Sequence, residues 1–332
     1  MSVLSLSEIN PFFIEWELIL AESYFQTNDY SLSKAIVYRL LEHINTQNEQ
    51  NFDPFDEKRR KIFLRCYKIL LSVMQKTNDT EFSSTYEFVW ANFPDADFFA
   101  EIPLSDIFQP KPAKPESVIK RAYIFLDLMQ NQKALDLFSE LNTQKWDQQS
   151  LCHKQFIIGK VYRRIRNFSQ AKQVLSQMIV NCKNHEKIPD ALFLLAKVYS
   201  FSHDPLQREF GVSYYQQLAQ SFPDNSLADD ALFWAGDILE RNQKYDSALA
   251  HYLIEVSLFS SADFTPESYW RLAWIQYKRQ KYDSALSWLD IIIQSHHNTA
   301  WFSSQETSRA LFWKSKILEL LENKEGSKQA RK

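Results

Sequence analysis

The sequence predicts an all-α solenoid, a right-handed superhelix of antiparallel helix pairs. The seven residues Gln-Lys-Tyr-Asp-Ser-Ala-Leu occur at Gln243–Leu249 and again, 37 residues later, at Gln280–Leu286. A fixed period of a few tens of residues in helix-forming sequence is typical of stacked helical hairpins, because one hairpin alone cannot bury its apolar face. Only 4 of the 332 residues are Gly, which leaves little for strand turns or phosphate-binding loops.

Each repeat has a small residue on its first helix and an Ala on its second helix. The small residues are Gly159, Ala196, Gly236 and Ala273, separated by 37, 40 and 37 residues, and the second-helix residues are Ala171, Ala248 and Ala285. This spacing matches the pattern of the tetratricopeptide repeat. Small side chains let two antiparallel helices approach closely, while Tyr245 and Tyr282 fill the turns between them.

The other repeats are less regular. The step of 40 residues contains a longer turn, Ser200–Pro205, after which Gly211 takes the place of the second-helix Ala. A weaker copy near the start has Ala21 and Ser33 in the two small positions, and two more helix pairs are predicted around residues 64–93 and 120–141.

Two first helices near the end of the chain carry start signals. Thr265-Pro266-Glu267 supplies an N-cap, a first-turn proline and an acidic residue, and Ser303 with Glu306 forms a capping box.

A proline-rich segment interrupts the helical pattern. Three prolines fall within residues 110–115, which precludes a helix interior and favours an extended backbone. We therefore predict an N-terminal helical portion over residues 1–102, a linker over 103–116, and a superhelix over 117–332. The chain stops at Lys332 inside the second helix of its last repeat, so we expect a fragment, or a chain that docks onto another molecule.

Composition argues against several classes of protein. The net charge of −3 favours no nucleic-acid partner, and no run approaches the ~18 apolar residues of a membrane span. The first eleven residues have neither the basic region nor the apolar region of a signal peptide. No Ser/His/Asp or Cys/His spacing indicates catalysis, and we predict no cofactor and no metal.

Four phrases follow one another between Cys152 and Leu321, about half of the chain: Cys152-x3-Phe156-x2-Gly159-Lys160-x2-Arg163-Arg164 with Cys182, Tyr214-Tyr215 through Phe222-Pro223-Asp224 to Ala228–Phe233, Pro266–Trp274, and Arg309–Trp313. In this order and spacing they resemble the helical superhelix that precedes the catalytic domain of soluble lytic murein transglycosylases. Phe-Pro-Asp followed by Ala-Asp-Asp-Ala-Leu also occurs in bacterial envelope lipoproteins with such repeats.

The resemblance implies a non-catalytic scaffold in peptidoglycan turnover, located in the periplasm, with peptidoglycan or a C-terminal catalytic domain as its partner. In that family a single Glu, followed by Ser and a Gly-rich stretch, is the acid and then the base. Glu116-Ser117 and Glu267-Ser268 lack the Gly-rich continuation, so no catalytic residue is assigned and we expect the chain to be inactive alone. The alternative is a tetratricopeptide scaffold for protein partners without an enzyme, either an envelope assembly factor or a cytoplasmic adaptor.

The cysteines have three alternative interpretations. Cys152 opens the first helix of a hairpin and Cys182 closes the second, so antiparallel packing brings them to one edge. In the oxidising periplasm that the resemblance implies, they would form a disulfide; otherwise both are small buried hydrophobic residues. Together with His153 and His185 they supply the ligand types of a zinc site, although the spacing matches no usual zinc motif.

Other side chains suggest binding surfaces. Trp270, Trp274, Tyr277 and Trp288 offer rings for sugars, but at helical spacing such residues more often pack between helices. The basic clusters Lys58–Lys61 and Arg163–Arg166 are suited to an anionic polymer, but charged helix faces are more common. His296-His297 lies in a polar segment and is interpreted as a solvated turn.

Overall fold

The computed structural model describes residues 11–45, 57–94, 113–259, 263–295 and 304–321. Over these residues the prediction of an all-α solenoid is confirmed, because they form fifteen helices and no strand. The helices are α1 (Pro11–Gln26), α2 (Tyr30–Asn45), α3 (Glu57–Lys76), α4 (Phe82–Asn92), α5 (Pro115–Asp127), α6 (Asn131–Glu140), α7 (Gln148–Arg164), α8 (Phe168–Asn181), α9 (Ile188–Ser200), α10 (Pro205–Ser221), α11 (Ala228–Arg241), α12 (Tyr245–Leu258), α13 (Thr265–Lys278), α14 (Tyr282–Ser295) and α15 (Ser304–Leu320).

The chain divides into two compact units, Met1–Trp146 and Asp147–Lys332, here called the N-terminal and C-terminal units. The division therefore follows α6, whereas the proline content led us to expect it at residues 103–116. Most of that segment lies outside the described residues, but its last proline, Pro115, is the first residue of α5. Arg121 on α5 lies 4.6 Å from the centre of the Trp90 ring on α4. The helices on either side of the proline-rich segment thus pack within one unit.

The small residues of the repeats lie where two helices approach closely. A β-carbon added to Gly159 would be 2.5 Å from Cδ2 of Leu175, and one added to Gly236 would be 2.7 Å from Cε1 of Tyr252. The alanines of the repeat, which occur on first and second helices alike, are buried at Ala171, Ala196, Ala248, Ala273 and Ala285.

The turn inside each hairpin also repeats. Six non-glycine residues in the described part of the chain have a left-handed backbone, each the second residue after the end of the first helix of a hairpin: Asn28, Asn78, Met129, Arg166, Gln243 and Gln280. At Gln243 the backbone N–H donates to the Glu240 carbonyl, and the next N–H donates to Leu239, both at 2.9 Å. A left-handed residue with these bonds closes a helix as a Schellman motif. The hairpins α1/α2, α3/α4 and α5/α6 therefore share the turn of the better-defined repeats.

Helix starts near the end of the chain differ in part from the expectation. Thr265 is not an N-cap, since it is the first residue of α13 and its hydroxyl donates to the Phe259 carbonyl at 2.6 Å. Ser303, His296-His297 and the turn after Leu321 lie outside the described residues. No helix of the described part is long and apolar enough to cross a membrane.

In the C-terminal unit, first helices contact first helices and second helices contact second helices. Glu240 on α11 pairs with Arg271 on α13, and Glu267 on α13 pairs with Arg309 on α15. On the other side, Gln216 on α10 contacts His251 on α12 at 2.9 Å. The unit therefore has a first-helix face, formed by α7, α9, α11, α13 and α15, and a second-helix face, formed by α8, α10, α12 and α14.

Candidate interaction site

The first-helix face carries a ladder of aromatic rings on α13. Trp270, Trp274 and Tyr277 are spaced by four and three residues, which places them on one side of the helix. The rings stack with centroids 5.8 Å apart between the two tryptophans and 5.4 Å apart between Trp274 and Tyr277. All three side chains are half-buried, so their inner faces pack while part of each ring contacts solvent.

The next first helix completes this aromatic cluster. Trp313 on α15 meets Trp274 edge-on with centroids 4.9 Å apart, and it lies 5.2 Å from Tyr277. Arg309 on the same helix places its guanidinium 4.3 Å from the centre of the Trp270 ring, a distance at which a cation is attracted to an aromatic face. Residues Trp270, Trp274, Tyr277, Arg309 and Trp313 are called the aromatic cluster below.

Ion pairs fix the helices that present the cluster. Glu240 is buried and accepts hydrogen bonds from Arg271 at 3.4 Å and Lys278 at 3.3 Å. Glu267 accepts from Arg271 at 3.0 Å and from Arg309 at 2.8 Å. Because these carboxylates join α11 to α13 and α13 to α15, the rings are held on packed helices rather than on loops.

A pair of cations lies further along the same face, on α7 and α9. Burial lowers the pKa of Arg163 and of Lys197, and the positive charge of Arg163 lowers that of Lys197 further. The Arg163 Nε atom is buried and has no hydrogen-bond partner in the described part of the chain. Lys197 lies 5.8 Å from the ring centres of Phe193 and Trp234. Arg163 and Lys197, called the cationic pair, are suited to an anionic group.

The four aromatic residues that the sequence suggested as a binding surface therefore lie at two different places. Trp270, Trp274 and Tyr277 lie together, while Trp288 lies on α14 and packs against Tyr269 at 5.9 Å. Sequence reasoning missed Trp313 and Arg309 as members of the cluster, since they lie on another helix. Their spacing from α13 by one repeat is the signal that would have found them.

The glutamates of the two Glu-Ser dipeptides both have structural roles. Glu116 is an exposed residue in the first turn of α5, a position at which an acidic side chain stabilises the helix dipole. Glu267 is held by its two arginine partners on the first-helix face.

The basic clusters form no continuous patch in the described residues. Arg60 is buried against Phe93, 5.6 Å from its ring centre, and the side chains of Lys58 and Arg59 lie outside the description. In the second cluster Arg163 is half-buried, whereas Arg166 is the left-handed residue of an exposed turn.

Cys152 and Cys182 are bonded to each other in the structure, with their Cα atoms 5.9 Å apart, and Cys66 is a buried free thiol. The bond joins the start of α7 to the end of α8. Because both sulfurs are in this bond, only two of the four side chains considered as zinc ligands remain. These are the imidazoles of His153 and His185, which meet edge-on with ring centroids 5.4 Å apart.

Comparison with known proteins supports the repeat. The family model of the tetratricopeptide repeat matches residues 211–263, which include α11 and α12. No curated protein matches the sequence.

Several solved helical structures are similar to the chain. The apo form of RapI has a TM-score of 0.48 and 10% identity, over 96% of this chain and 95% of that one. A signal transduction ATPase with a tetratricopeptide repeat sensor, PH0952 from Pyrococcus horikoshii, has a TM-score of 0.45 and 16% identity, over 89% of this chain and 45% of that one. A tetratricopeptide repeat protein from Parabacteroides merdae has a TM-score of 0.38 and 12% identity, over 93% and 98% of the two chains.

These comparisons give no support to the link with lytic transglycosylases that the resemblance implied. The described helices and the family match together show a helical repeat scaffold with tetratricopeptide-type sequence over residues 211–263.

Proposed function

We propose that the C-terminal unit is a scaffold that binds a segment of a partner protein along its first-helix face. The observation that carries this proposal is the aromatic cluster, where three half-buried rings of α13 and Trp313 of α15 share one surface with Arg309. Trp, Tyr and Arg are the residues enriched at the energetic centres of protein interfaces. Their rings lose little conformational entropy on binding because packing already holds them in place.

The cationic pair extends the proposed site and indicates the chemistry of the partner. Arg163 and Lys197 are partly desolvated like charges, and the Asp230 carboxylate already acts on Lys197. A carboxylate of the partner beside Arg163 would satisfy its buried Nε atom. The partner segment is therefore expected to combine an acidic residue for the cationic pair with apolar or aromatic residues for the aromatic cluster. Neighbouring repeats of a solenoid form extended binding surfaces of this kind.

The test begins with selection of displayed peptides on the full chain, followed by affinity measurements with the selected peptides. We expect Trp270→Ala and Trp313→Ala each to weaken binding at least about tenfold. Trp274→Phe keeps a ring and is expected to retain most of the affinity, which separates loss of contact from loss of folding. The matched control is Leu253→Ala with Ile254→Ala, because both side chains are exposed on the second-helix face.

Peptides whose affinity falls equally in the control and in the aromatic variants, with thermal midpoints unchanged, would contradict this proposal. The same holds if the selection yields no peptide that binds through the aromatic cluster.

The second candidate is the scaffold in peptidoglycan turnover, with a periplasmic location. Two observations favour it: the exposed parts of the Trp270 and Trp274 rings are suitable for sugar stacking, and the Cys152–Cys182 bond suits an oxidising compartment. This candidate predicts that the chain cosediments with purified peptidoglycan sacculi and that Trp270→Ala reduces the bound fraction, but that no anhydromuropeptides are released. Release that is abolished by Glu116→Gln or Glu267→Gln would overturn the scaffold function altogether.

A further inference from the structure

A groove of the N-terminal unit lies between α2, α3 and α4, apart from the sites described above. Its volume is about 530 Å³, within the range of pockets that hold small ligands. The buried part of its lining is apolar and consists of Leu41 on α2 and Leu70 on α3. The side chains that it offers to a ligand are mainly aromatic, with Tyr38 on α2, Tyr67 on α3 and Phe88 on α4. A groove with this lining is suited to a small, partly apolar molecule.

The aromatic rings of the groove are held in place and remain accessible. Tyr67 and Phe88 have ring centroids 5.6 Å apart and an interplanar angle of 49°, so the two rings form a corner and not a flat stack. Tyr67 also packs on Phe63 and Phe93, with centroids 6.3 and 5.9 Å away, which fixes its ring. Tyr38 and Phe88 are 39% and 47% exposed. A ligand in the groove can therefore reach rings on all three helices.

Glu42 on α2 gives the groove its charge. It is exposed, has no ion-pair partner among the described residues, and is the one lining side chain that is ionised at neutral pH. Burial raises the pKa of Tyr67 to about 12, so its hydroxyl stays protonated. The Tyr38 hydroxyl donates to the Glu81 carboxylate at 3.1 Å, which places a second acidic group next to the groove. The groove is therefore negatively charged.

Two lysines of the chain lie near the rings without lining the groove. The Lys34 amine is 5.4 Å from the centre of the Tyr38 ring, and its charge is paired with Asp79. The Lys120 amine is 6.0 Å from the centre of the Phe88 ring, at the outer limit of the attraction between a cation and an aromatic ring. The lining itself contains no positive charge, so the groove favours a cation that the chain does not supply there.

We propose that this groove binds a small organic cation that carries an alkylated ammonium group. The alkyl groups contact the rings of Tyr67 and Phe88, and the Glu42 carboxylate balances the charge. Aromatic faces attract cations through the ring quadrupole, and cages of aromatic side chains recognise quaternary ammonium groups in this way. A neutral ligand would gain neither attraction, and an anion would be repelled by Glu42. The site belongs to the N-terminal unit and does not depend on the protein binding proposed for the C-terminal unit.

The experiment is a calorimetric titration of the full chain with choline at neutral pH. The matched ligand is neohexyl alcohol, in which carbon replaces the choline nitrogen, so that shape is kept and the charge is removed. We expect saturable binding of choline and at least about tenfold weaker binding of the alcohol. Vesicles of phosphatidylcholine test whether the ammonium group belongs to a lipid instead. We expect no cosedimentation of the chain with them, and cosedimentation that choline displaces would overturn a free small molecule as the ligand.

Two variants assign the binding to the groove. Glu42→Gln removes the charge and Phe88→Leu removes an aromatic face while keeping an apolar side chain, and each should weaken choline binding at least about threefold. Both side chains are exposed, so the fold should be retained, which thermal midpoints check. The matched controls Glu140→Gln and Trp16→Leu alter an exposed carboxylate and an exposed ring elsewhere in the unit and should leave binding unchanged.

Three results would overturn the proposal. The first is the absence of saturable choline binding up to about 10 mM, which corresponds to a negligible affinity. The second is binding of neohexyl alcohol as tight as that of choline, which would assign the groove to neutral apolar ligands. The third is a loss of affinity in the controls as large as that in Glu42→Gln and Phe88→Leu, which would place the cation elsewhere on the chain.

Discussion

Gly211 on α10 lies so close to Ala196 on α9 that an added β-carbon would be 2.9 Å from the Ala196 backbone oxygen. This contact differs from those at Gly159 and Gly236, where the nearest atoms to the added β-carbon belong to side chains, those of Leu175 and Tyr252. A clash with backbone requires one of the two helices to shift. Gly211 therefore sets the distance between α9 and α10 in the repeat with the long turn.

We predict that Gly211→Ala lowers the free energy of unfolding by about 1–3 kcal/mol through overpacking, despite the higher helix propensity of Ala. Gly159→Ala is the matched comparison, since its added β-carbon would meet the side chain of Leu175 and no backbone atom of the neighbouring helix, and its effect should be smaller. Urea denaturation monitored by circular dichroism measures both values. If Gly159→Ala proves the more destabilising of the two, the assigned contact is not the one that limits helix approach.

The alanines of the second helices provide a second packing test. Ala248 and Ala285 are completely buried, so Ala248→Leu and Ala285→Leu should each destabilise by roughly 1–3 kcal/mol. Ala250→Leu is the control, because Ala250 is exposed on the same helix as Ala248. Unchanged denaturation midpoints in both buried variants would count against the repeat register.

In the left-handed turns we predict a substitution that raises the free energy of unfolding, unlike the two preceding ones. Gln243 has φ 61°, a conformation in which a β-carbon costs roughly 1–2 kcal/mol. Gln243→Gly should therefore raise the free energy of unfolding by up to about 1 kcal/mol, after the added entropy of the unfolded chain is subtracted. The control Gln173→Gly, at an exposed interior position of α8, should lower it by about 0.5–1 kcal/mol. A loss of stability in both variants would show that Gln243 makes a contact worth more than its backbone strain.

The Cys152–Cys182 bond closes a loop with a sequence separation of 30. On the chain-entropy account it should stabilise the oxidised protein by about 3–4 kcal/mol relative to the reduced protein. Titration of thiols in denaturant should count one, from Cys66, after export to an oxidising compartment. A count of three under those conditions would show that the two cysteines remain reduced, as small buried side chains.

Glu255 predicts a pH dependence of stability. Burial raises its pKa to about 7, with smaller contributions from Asp229 and Asp263 and opposition from the hydroxyls of Ser268 and Thr265. Because the folded state holds this proton more tightly than the unfolded state, the stabilisation is present below the unfolded pKa and is lost as pH rises through about 7.

We expect the unaltered chain to lose on the order of 3 kcal/mol between about pH 5 and pH 8 from this group. Glu255→Gln should remove most of that slope, while Glu186→Gln, which alters an exposed carboxyl, should keep it. Denaturant midpoints at the two pH values provide the measurement. A slope that persists in Glu255→Gln would assign the titration to other groups, with Asp230 the first to examine.

The hairpin architecture was predictable because its causes are local in sequence. Small residues at Gly159, Ala196, Gly236 and Ala273 recur at nearly constant spacing, and a helix places such positions on one face without information from the rest of the chain. The longer turn after Ser200 was also predictable, because the small residues Ala196 and Gly236 are 40 residues apart instead of 37. The earlier hairpins were less clear, because their shared signal is a backbone angle at Asn78 and Met129 that several residue types adopt.

The division of the chain was less predictable from composition. Prolines indicate where a helix cannot continue, but a unit boundary depends on which helices bury surface against each other. Arg121 packs on Trp90 across the proline-rich segment, and the division follows Trp146 instead.

The sequence by itself determined the fold class, the helix pairs and the small residues at their contacts, because periodic apolar and small positions act through local helix geometry. Only the tertiary structure decided which side chains share a surface. Trp313 joins Trp274, and Asp263 joins Asp229 and Asp230, because stacking sets consecutive repeats side by side. That juxtaposition depends on how helices pack, and the spacing of residues along the chain does not record it.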